Sequence, residues 1–176
     1  EYPRTIGKDG KLKVTRKNDW TEGFYPGCLW YVYEYTNKED WKKAAIKWTE
    51  SLEPLKKMTN HHDIGFLMYC SFGNAYRLTG NEAYKDVLVE SARSLCTRFN
   101  EKTGCIKSWN YRKSWNGKDE WFYPVIIDNM MNLELLYFAT KVTGDSVYAK
   151  VANRHAETTA KNQFREDYSN YHVVNY

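Results

Sequence analysis

Three strongly apolar segments alternate along the chain with three more polar segments. The apolar segments cover residues 29–35, 64–78 and 130–142, and the polar ones follow at residues 41–55, 84–99 and 148–163. In the second polar segment, the apolar residues Val87, Leu88, Ala92 and Leu95 fall on one face of a helix. The pattern therefore predicts three pairs of helices, each pair made of an apolar helix followed by an amphipathic one.

A short motif separates the two helices of each predicted pair. It begins at Thr36, Thr79 and Thr143, continues with Asn or Gly, and reaches an aromatic residue after three further positions. Asn and Gly readily adopt the left-handed conformation that ends a helix. Asn81 and Asp145 then stand where a side chain caps the next helix. Each motif is therefore predicted to be the joint of a helical hairpin.

Repeated hairpins with an apolar inner helix and an amphipathic outer helix are typical of an α/α toroid. We therefore predict an all-α fold, an (α/α)6 barrel, with residues 1–176 forming a single domain fragment that covers about half of the ring. The apolar-aromatic ending at residues 171–176 leads us to expect that additional polypeptide supplies the remaining half. The alternative is a generic helical bundle in which the internal similarity arises by chance.

Composition narrows the possible partners. Apolar residues make up 42% of the chain and charged residues 27%, which is typical of globular domains. No apolar run approaches the roughly 20 residues of a membrane span. The net charge of +4 comes from scattered basic residues, so we expect no nucleic-acid partner. Aromatic residues reach 16%, which fits either a carbohydrate site or an aromatic-rich core.

The sequence predicts no metal and no cofactor. It contains no CxxC pair, no HExxH motif, no nucleotide-binding glycine loop and no nucleophile elbow. The four cysteines are expected to be buried free thiols. The chain opens without Met, which suggests a processed start, so we expect a bacterial periplasmic or cytoplasmic location with the periplasm slightly favoured.

Acidic or aromatic residues occupy the start of each apolar helix. Trp20, Asp63 and Asp128 lie at about the same distance before the three joint threonines. Equivalent positions in a toroid lie around one mouth, so we predict these three side chains on a common rim. Each Asp could instead be a helix N-cap. Asp128 follows an apolar run, and because burial disfavours a charged carboxylate, it is a candidate general acid.

Other residues near the predicted rim are candidate sugar contacts. His62 and His172 could hydrogen-bond a substrate, or could be satisfied structural histidines. Trp109 lies in a polar loop between the second and third hairpins, where it could stack on a sugar ring or anchor the loop. His155 falls in the last amphipathic helix, and we expect it to be structural.

Five segments together resemble a known family. They are residues 20–27 (WTEGFYPG), 62–66 (HDIGF), 108–109 (SW), 127–133 (IDNMMNL) and 171–174 (YHVV). They resemble the unsaturated glucuronyl hydrolases, glycoside hydrolase family 88, and the resemblance covers nearly the whole chain. Members of that family are α/α barrels of about twice this length, which agrees with the half-ring expectation.

The resemblance implies a reaction and a set of site residues. The substrate would be a lyase-generated oligosaccharide of glycosaminoglycan type, and the enzyme would hydrate the C4=C5 double bond of its terminal unsaturated uronic acid. Asp128 would be the general acid/base and Asp63 the second essential carboxylate of this catalytic-domain fragment. Substrate contacts would come from Trp20, Trp109, His172 and His62. We expect this chain alone to be inactive unless other polypeptide completes the ring.

Two alternative functions stay open. An unsaturated rhamnogalacturonyl hydrolase would share the barrel and the hydration chemistry but act on a pectin-derived substrate, and the wording at residues 62–66 and 128–132 favours the glucuronyl family. A non-catalytic carbohydrate-binding toroid would use Asp63 and Asp128 as caps and the Trp residues as a wall. The aglycone and its linkage are not specified by the sequence.

Overall fold

A computed structural model of the chain describes residues 1–16 and 18–176. These residues fall into two compact units. The first unit contains Glu1–Lys57 and Phe66–Ser91, and the second contains Met58–Gly65 and Ala92–Tyr176. The expectation that residues 1–176 form a single domain stays a prediction.

The first unit opens with a β-hairpin and continues as helices. Strands β1 (Tyr2–Ile6) and β2 (Leu12–Thr15) pair antiparallel. Helices α1 (Phe24–Thr36) and α2 (Glu39–Glu50) follow, and a 3₁₀ helix covers Glu53–Lys57. The predicted apolar helix at 64–78 consists of α3 (Ile64–Met68), a π-helical turn (Tyr69–Gly73) and α4 (Asn74–Thr79).

Buried aromatic side chains with satisfied polar groups hold the first unit together. Trp30 is fully buried, and its indole Nε1 donates to Thr49 Oγ1 at 2.9 Å, which joins α1 to α2. Tyr2 packs its ring against Trp48 and brings its hydroxyl within hydrogen-bond distance of Ser51 Oγ. These contacts attach the β-hairpin to the end of α2. They also give the polar atoms of the buried Tyr and Trp the hydrogen-bond partners they need.

The three predicted joints are confirmed. Helices α1, α4 and α6 (Leu133–Thr143) end at Thr36, Thr79 and Thr143, and the following residue has φ of 53°, 67° and 75° respectively. Each threonine hydroxyl donates to the carbonyl four residues earlier. In the second and third joints the same hydroxyl accepts the amide two residues later, so one side chain satisfies two backbone groups at the helix end.

The capping prediction for the second joint is also confirmed. Asn81 Oδ1 accepts the backbone amide of Ala83 at 3.0 Å, at the start of α5 (Glu82–Cys96). Asp145 Oδ1 accepts the amide of Val147 at 2.9 Å, at the first residue of α7 (Val147–Gln163). Asp145 stands one position earlier than the helix-flanking residue Ser146, so it forms a turn before the helix.

The second unit inserts short strands between its helices. After α5 come β3 (Phe99–Asn100) with β4 (Cys105–Ile106), and β5 (Arg112–Lys113) with β6 (Glu120–Trp121). Strand β7 (Pro124–Ile126) pairs antiparallel with β8 (Val173–Asn175). A 3₁₀ helix at Ile127–Asn132 leads into α6, and α7 completes the third hairpin.

Short strands accompany the helices of the predicted α/α fold. Within residues 1–16 and 18–176 they form four two-stranded ribbons, three of which lie in the second unit. Strands of two or three residues are too short to show the alternation of apolar and polar positions by which a strand is recognised in sequence. The three helical hairpins are nevertheless where the pattern predicted them.

A stripe of buried polar side chains faces inward along α7. His155, Thr159 and Gln163 are spaced by four residues and are almost fully buried. His155 Nδ1 accepts the backbone amide of Ile106 at 3.1 Å, and Gln163 Nε2 donates to Val125 O at 3.0 Å. The stripe therefore ties α7 to strands β4 and β7, which agrees with the structural role expected for His155.

The cysteine prediction needs one correction. All four cysteines are free, as expected, but of the four only Cys105 is buried, and Cys70 and Cys96 are partly buried. Burial raises the pKa of the Cys96 thiol to about 11. Cys28 was expected to be buried but is exposed, because α1 turns Leu29 and Trp30 toward the interior instead. No helix in the described part of the chain combines the length and apolarity needed to cross a membrane.

The buried imidazole of His155 predicts a loss of stability in acid. Burial, with a smaller effect of nearby His62, lowers the pKa of His155 to about 4, against 6.5 in the unfolded chain. The contribution of this neutral ring is complete above pH 6.5 and is lost as the pH falls toward 4. The complete loss is roughly 3 kcal/mol, at about 1.4 kcal/mol per pH unit, and about 2 kcal/mol of it is reached by pH 5. Urea unfolding at about pH 7.5 and about pH 5 measures it.

The matched control is His155→Asn. The Asn Oδ1 takes the place of Nδ1 as acceptor for the Ile106 amide but carries no titrating group. We expect the free energy of unfolding of this variant to fall less between the two pH values than that of the unchanged protein. Parallel losses in the two proteins would show that another group causes the acid sensitivity.

Candidate functional site

Two carboxylates of the second unit meet at one imidazole. His62 Nε2 lies 3.0 Å from Asp128 Oδ1 and 3.2 Å from Asp63 Oδ1. His61 Nδ1 lies 3.0 Å from the other oxygen of Asp63. Asp63 immediately precedes α3, and Asp128 lies in the first turn of the 3₁₀ helix, whose N-cap residue is Ile126. The structure thus brings the two predicted rim carboxylates together.

The contacts of His62 decide where its ring protons lie. Its Nδ1 is 3.1 Å from the carbonyl oxygen of Ser108. A carbonyl oxygen only accepts, so this hydrogen bond requires a proton on Nδ1. Nε2 then faces carboxylate oxygens, and this contact is favourable only when a proton lies between them, on the imidazole or on a carboxyl. The geometry therefore requires a proton held between His62 Nε2 and the facing carboxylate oxygens.

Solvent exposure separates the three members of this cluster. The His62 side chain is 1% exposed, that of Asp63 is 14% exposed, and that of Asp128 is 38% exposed. Asp128 is therefore the member most open to a ligand from solvent. His62 was predicted as a substrate contact. That role stays a prediction, and the burial of its ring gives it the further role of holding the two carboxylates in place.

Ser108 is the buried centre of the backbone network around His62. Its carbonyl accepts both the His62 ring and the His62 backbone amide, and its own amide donates to Pro124 O at 2.9 Å. Its hydroxyl accepts the amide of Ile126 at 2.9 Å. One residue thus fixes the segment that carries His62 and Asp63 against strand β7, which leads to Asp128.

A close approach between Gly65 and Asn132 sets the spacing of the two acidic segments. A Cβ atom added at Gly65 would lie 2.1 Å from Asn132 Oδ1, well inside van der Waals contact. Asn132 Nδ2 donates to Asn129 Oδ1 at 2.6 Å, and Asn129 Nδ2 donates to Ile106 O at 2.7 Å. Because this amide chain is buried and satisfied, Asn132 has no easy way to move aside.

Arg98 forms hydrogen bonds to both loops of the site. Its guanidinium donates to the carbonyl oxygens of Lys107 and Thr59 and lies 3.4 Å from Asn110 Oδ1. Burial lowers the pKa of Arg98, while the nearby charges of Tyr123 and Asp63 act in the opposite direction. The segments at 59–63 and 107–110 are therefore held by one buried cation.

A row of aromatic rings extends from His62. Trp109 meets the His62 ring edge to face at 5.8 Å, and Trp115 meets Trp109 at 6.5 Å. His172 stacks on Trp115, with centroids 5.4 Å apart. The His172 carbonyl also accepts the amide of Ile127, the residue before Asp128. The structure therefore places Trp109 against His62 and joins the backbone of His172 to the residue before Asp128.

Trp20, the remaining predicted site residue, belongs to the first unit. It is exposed, its ring meets Phe24 edge to face at 6.1 Å, and the Arg4 guanidinium lies 4.9 Å from its centroid. Its predicted role as a sugar-stacking residue stays a prediction. Among the described residues, no group of three or more His, Cys, Asp or Glu side chains is arranged to hold a metal ion.

Sequence reasoning missed the residues that support the site. They are Ser108, Arg98, Gly65, Asn129 and Asn132. Ser108, Gly65 and the two asparagines lie inside motifs that were recognised, but nothing in those motifs shows which residues contact one another. Arg98 lies outside every motif, and no local pattern distinguishes it from a surface cation.

Comparison with known families identifies the chain. The family model described as Glycosyl Hydrolase Family 88 matches residues 3–172. This chain belongs to glycosyl hydrolase family 88. Family membership was expected from the motifs at residues 20–27, 62–66 and 127–133, and it is confirmed.

Two curated family 88 relatives align with almost the whole chain. An unsaturated glucuronyl hydrolase from Formosa agariphila is 50% identical over 178 residues, covering 99% of this chain and 43% of the relative. An unsaturated chondroitin disaccharide hydrolase from Streptococcus agalactiae is 35% identical over 181 residues, covering 98% of this chain and 43% of the relative. The chain thus spans less than half the length of these relatives.

A solved family 88 structure confirms the fold class. An unsaturated glucuronyl hydrolase described as specific for heparin superposes with a TM-score of 0.91 at 44% identity, covering 99% of this chain and 45% of that one. Its fold is an α/α barrel. The predicted α/α toroid, with this chain accounting for about half of the ring, is confirmed.

Gly65→Ala is predicted to destabilise this family 88 chain by forcing residue 65 and Asn132 apart. The added methyl would overlap three side-chain atoms of Asn132, at 2.1, 2.5 and 2.6 Å. Overpacking a buried contact costs about 1–3 kcal/mol, and we expect the upper end because the neighbours are hydrogen-bonded. Urea unfolding measures the change in the free energy of unfolding.

The control is the double variant Gly65→Ala with Asn132→Gly, which removes the overlapping atoms. We expect it to be more stable than the sum of the two single changes, since the space freed at residue 132 accepts the methyl. Additive losses would contradict the proposed contact between the two residues.

Proposed function

We propose that this chain is part of an unsaturated glucuronyl hydrolase, which hydrates the C4=C5 double bond of a terminal unsaturated uronic acid and releases the aglycone. The observation that carries the proposal is the convergence of Asp63 and Asp128 on His62 Nε2 at 3.2 and 3.0 Å. The names of the relatives support a substrate of glycosaminoglycan type. The chain's motifs had led to the same expectation.

The first chemical step would be protonation of carbon. The C4=C5–O5 unit of the substrate is a vinyl ether, and a proton added at C4 leaves positive charge shared between C5 and the ring oxygen. Asp128 is the candidate acid because it is the most exposed member of the cluster. Carbon is a poor proton acceptor, so a positioned acid matters here, and such catalysis contributes about 10²–10⁴-fold.

The second step would add water. The Asp128 carboxylate formed in the first step accepts a proton from water as the water oxygen bonds to C5. The resulting hemiketal opens by breaking the bond from C5 to the ring oxygen, which leaves a ketone at C5 and a hemiacetal at C1. The hemiacetal then releases the aglycone alcohol. One water is consumed, and Asp128 returns to its starting protonation state.

Asp63 and His62 would hold Asp128 in position and stabilise its charge during the reaction. His62 holds Nδ1–H toward Ser108, so its Nε2 is available to the carboxylates throughout the cycle. Asp63, held by both His61 and His62, would place a second negative charge beside the shared proton. Trp109 and His172 would form the nearby wall of the sugar site, and Trp20 stays a proposed sugar-stacking residue.

A complete sugar site would need more polypeptide than these residues. The chain covers 43% of its curated relatives and 45% of the heparin-specific structure. We therefore propose that additional polypeptide completes the ring, and that it carries the remaining substrate contacts. By full-length protein we mean the natural polypeptide that contains these 176 residues.

Asp128→Asn in the full-length protein is predicted to abolish turnover. Asn keeps the shape of the side chain but can neither donate an acidic proton nor accept one from water. The measurement is the loss of ultraviolet absorbance from the conjugated double bond of an unsaturated chondroitin or heparin disaccharide. We expect the rate to fall at least about 10²-fold, the contribution of a general acid.

Asp86→Asn is the matched control, because Asp86 is exposed on α5. This variant should keep the rate of the unchanged protein. If the unchanged protein leaves the absorbance intact on both glucuronyl and rhamnogalacturonyl substrates yet still binds them, a non-catalytic carbohydrate-binding role replaces the hydrolase proposal.

The 176-residue chain alone is predicted to fold as helix but to show no turnover. Circular dichroism tests the helix content, and the same absorbance assay tests activity. Turnover by the isolated chain at the rate of the full-length protein would contradict the proposal that additional polypeptide completes the site.

A further inference from the structure

His61 lies at the end of the carboxylate cluster opposite Asp128. Its Nδ1 is 3.0 Å from Asp63 Oδ2, and the other oxygen of Asp63 faces His62 Nε2 at 3.2 Å. His62 Nε2 in turn lies 3.0 Å from Asp128 Oδ1. These contacts join four side chains in one row, in the order His61, Asp63, His62 and Asp128.

The His61 ring turns one nitrogen toward the cluster and leaves the other free. The backbone of His61 pairs with that of Trp109 in an isolated β-bridge, which fixes the position of the residue. Nδ1 makes the contact with Asp63, whereas Nε2 has no hydrogen-bond partner within residues 1–16 and 18–176. The side chain is 16% exposed. Nε2 is therefore the nitrogen that can exchange a proton with solvent.

Two groups of Asp63 meet His61 Nδ1. The backbone N–H of Asp63 points to this nitrogen at 3.3 Å, and Oδ2 lies 3.0 Å from it. With a proton, the nitrogen donates to Oδ2, which suits a charged carboxylate. Without a proton, it accepts the amide N–H and also a proton carried on Oδ2, which suits a neutral carboxyl. The contacts of His61 therefore accommodate Asp63 in both of its protonation states.

The proposed reaction calls for both states of Asp63. While the shared proton lies on His62 Nε2, that N–H attracts Asp63 as a carboxylate. Asp128 must carry the proton to act as the acid, and Nε2 is then left bare and faces Asp63 Oδ1 at 3.2 Å. Two acceptors at that distance repel each other, and the repulsion is weaker when Asp63 is neutral.

We propose that His61 is a positioning residue that keeps Asp63 in one place through both states. It would donate the Nδ1 proton to Oδ2 when Asp63 becomes neutral and recover it afterwards. A proton taken from solvent at Nε2 replaces the one given up at Nδ1, so the ring stays neutral and changes only its tautomer. This inference rests on the proposed function, because it assigns Asp128 the role of the acid.

The nearby cation Arg98 cannot replace His61 in this role. Arg98 donates to the carbonyl oxygens of Lys107 and Thr59, and it interacts with Asp63 as a nearby charge. A guanidinium has donors but no acceptor, and it keeps its protons in proteins. It can therefore stabilise a charged Asp63 but cannot accept a proton from a neutral one.

The test compares His61→Leu with His61→Asn in the full-length protein. Leu and Asn have nearly the same shape, and both remove the imidazole. The Asn amide can still donate to a carboxylate through its NH₂ group or accept from a carboxyl through its oxygen, whereas Leu can do neither. The absorbance assay with an unsaturated chondroitin disaccharide gives kcat and KM, and urea unfolding checks that both variants keep the fold.

The two variants should differ in kcat. We expect His61→Leu to lower kcat about tenfold, the effect of leaving one hydrogen-bonding group of Asp63 unsatisfied, while KM changes less than about threefold. His61→Asn should recover most of the lost kcat. A residue that only supports packing would not separate Asn from Leu in this direction, because the apolar side chain fills the same space.

Two results would overturn the inference while the proposed function stands. One is a kcat of His61→Leu equal to that of the unchanged protein. The other is an equal loss of kcat in both variants, since the Asn amide offers the donor and the acceptor on which the inference depends.

Failure of the proposed function looks different, because the unchanged protein would then turn over neither glucuronyl nor rhamnogalacturonyl substrates. Nitrogen NMR of the His61 ring then tests the inference without turnover, since a ring nitrogen with a proton and one without it differ in chemical shift. Asp128→Asn, at the far end of the row, should change the Nδ1 signal because it changes where the shared proton lies. An Nδ1 signal identical in the two proteins would overturn the inference.

Discussion

The second unit depends on keeping two carboxylates close together despite their like charges. Asp63 and Asp128 approach the same nitrogen of His62, and a shared proton there converts repulsion into attraction. This attraction requires the imidazole to keep its orientation, because a rotated ring would no longer direct Nε2 toward the two carboxylates. The carbonyl of Ser108 prevents this by accepting Nδ1–H. The buried backbone around Ser108 is therefore as much a part of the site as the carboxylates are.

The repeat pattern predicted the parts of this arrangement that local sequence determines. A helix that ends at a threonine followed by Gly or Asn needs only neighbouring residues, and all three such joints form where the motif placed them. The pairing of Asp63 with Asp128 also followed from the repeat, because equivalent positions in a toroid lie at the same end. Because the hairpins repeat, a local motif also predicts which residues from distant parts of the chain lie at the same end of the fold.

The supporting residues could not be predicted in this way because they act across sequence separations without a repeating pattern. Arg98 binds carbonyls of two separate loops, and Gly65 is required by a side chain of a different segment. The short ribbons are set by the same long-range contacts, since β7 finds its partner in β8 near the other end of the second unit. Burial of His62 and exposure of Cys28 likewise depend on packing, which residue type alone does not determine.

Exposure within the cluster gives a physical reason for dividing the proposed roles between the two carboxylates. Proton transfer to carbon requires the acid to touch the substrate, and Asp128 is the member that solvent, and therefore a sugar, can reach. Asp63 is less exposed and is held by two histidines, an arrangement suited to holding charge rather than to meeting a ligand. If Asp63 were the acid, the sugar would have to displace His61 or enter beside a ring that is almost fully buried. The proposed hydration would therefore place C4 of the substrate at Asp128 and leave Asp63 to hold charge beside it.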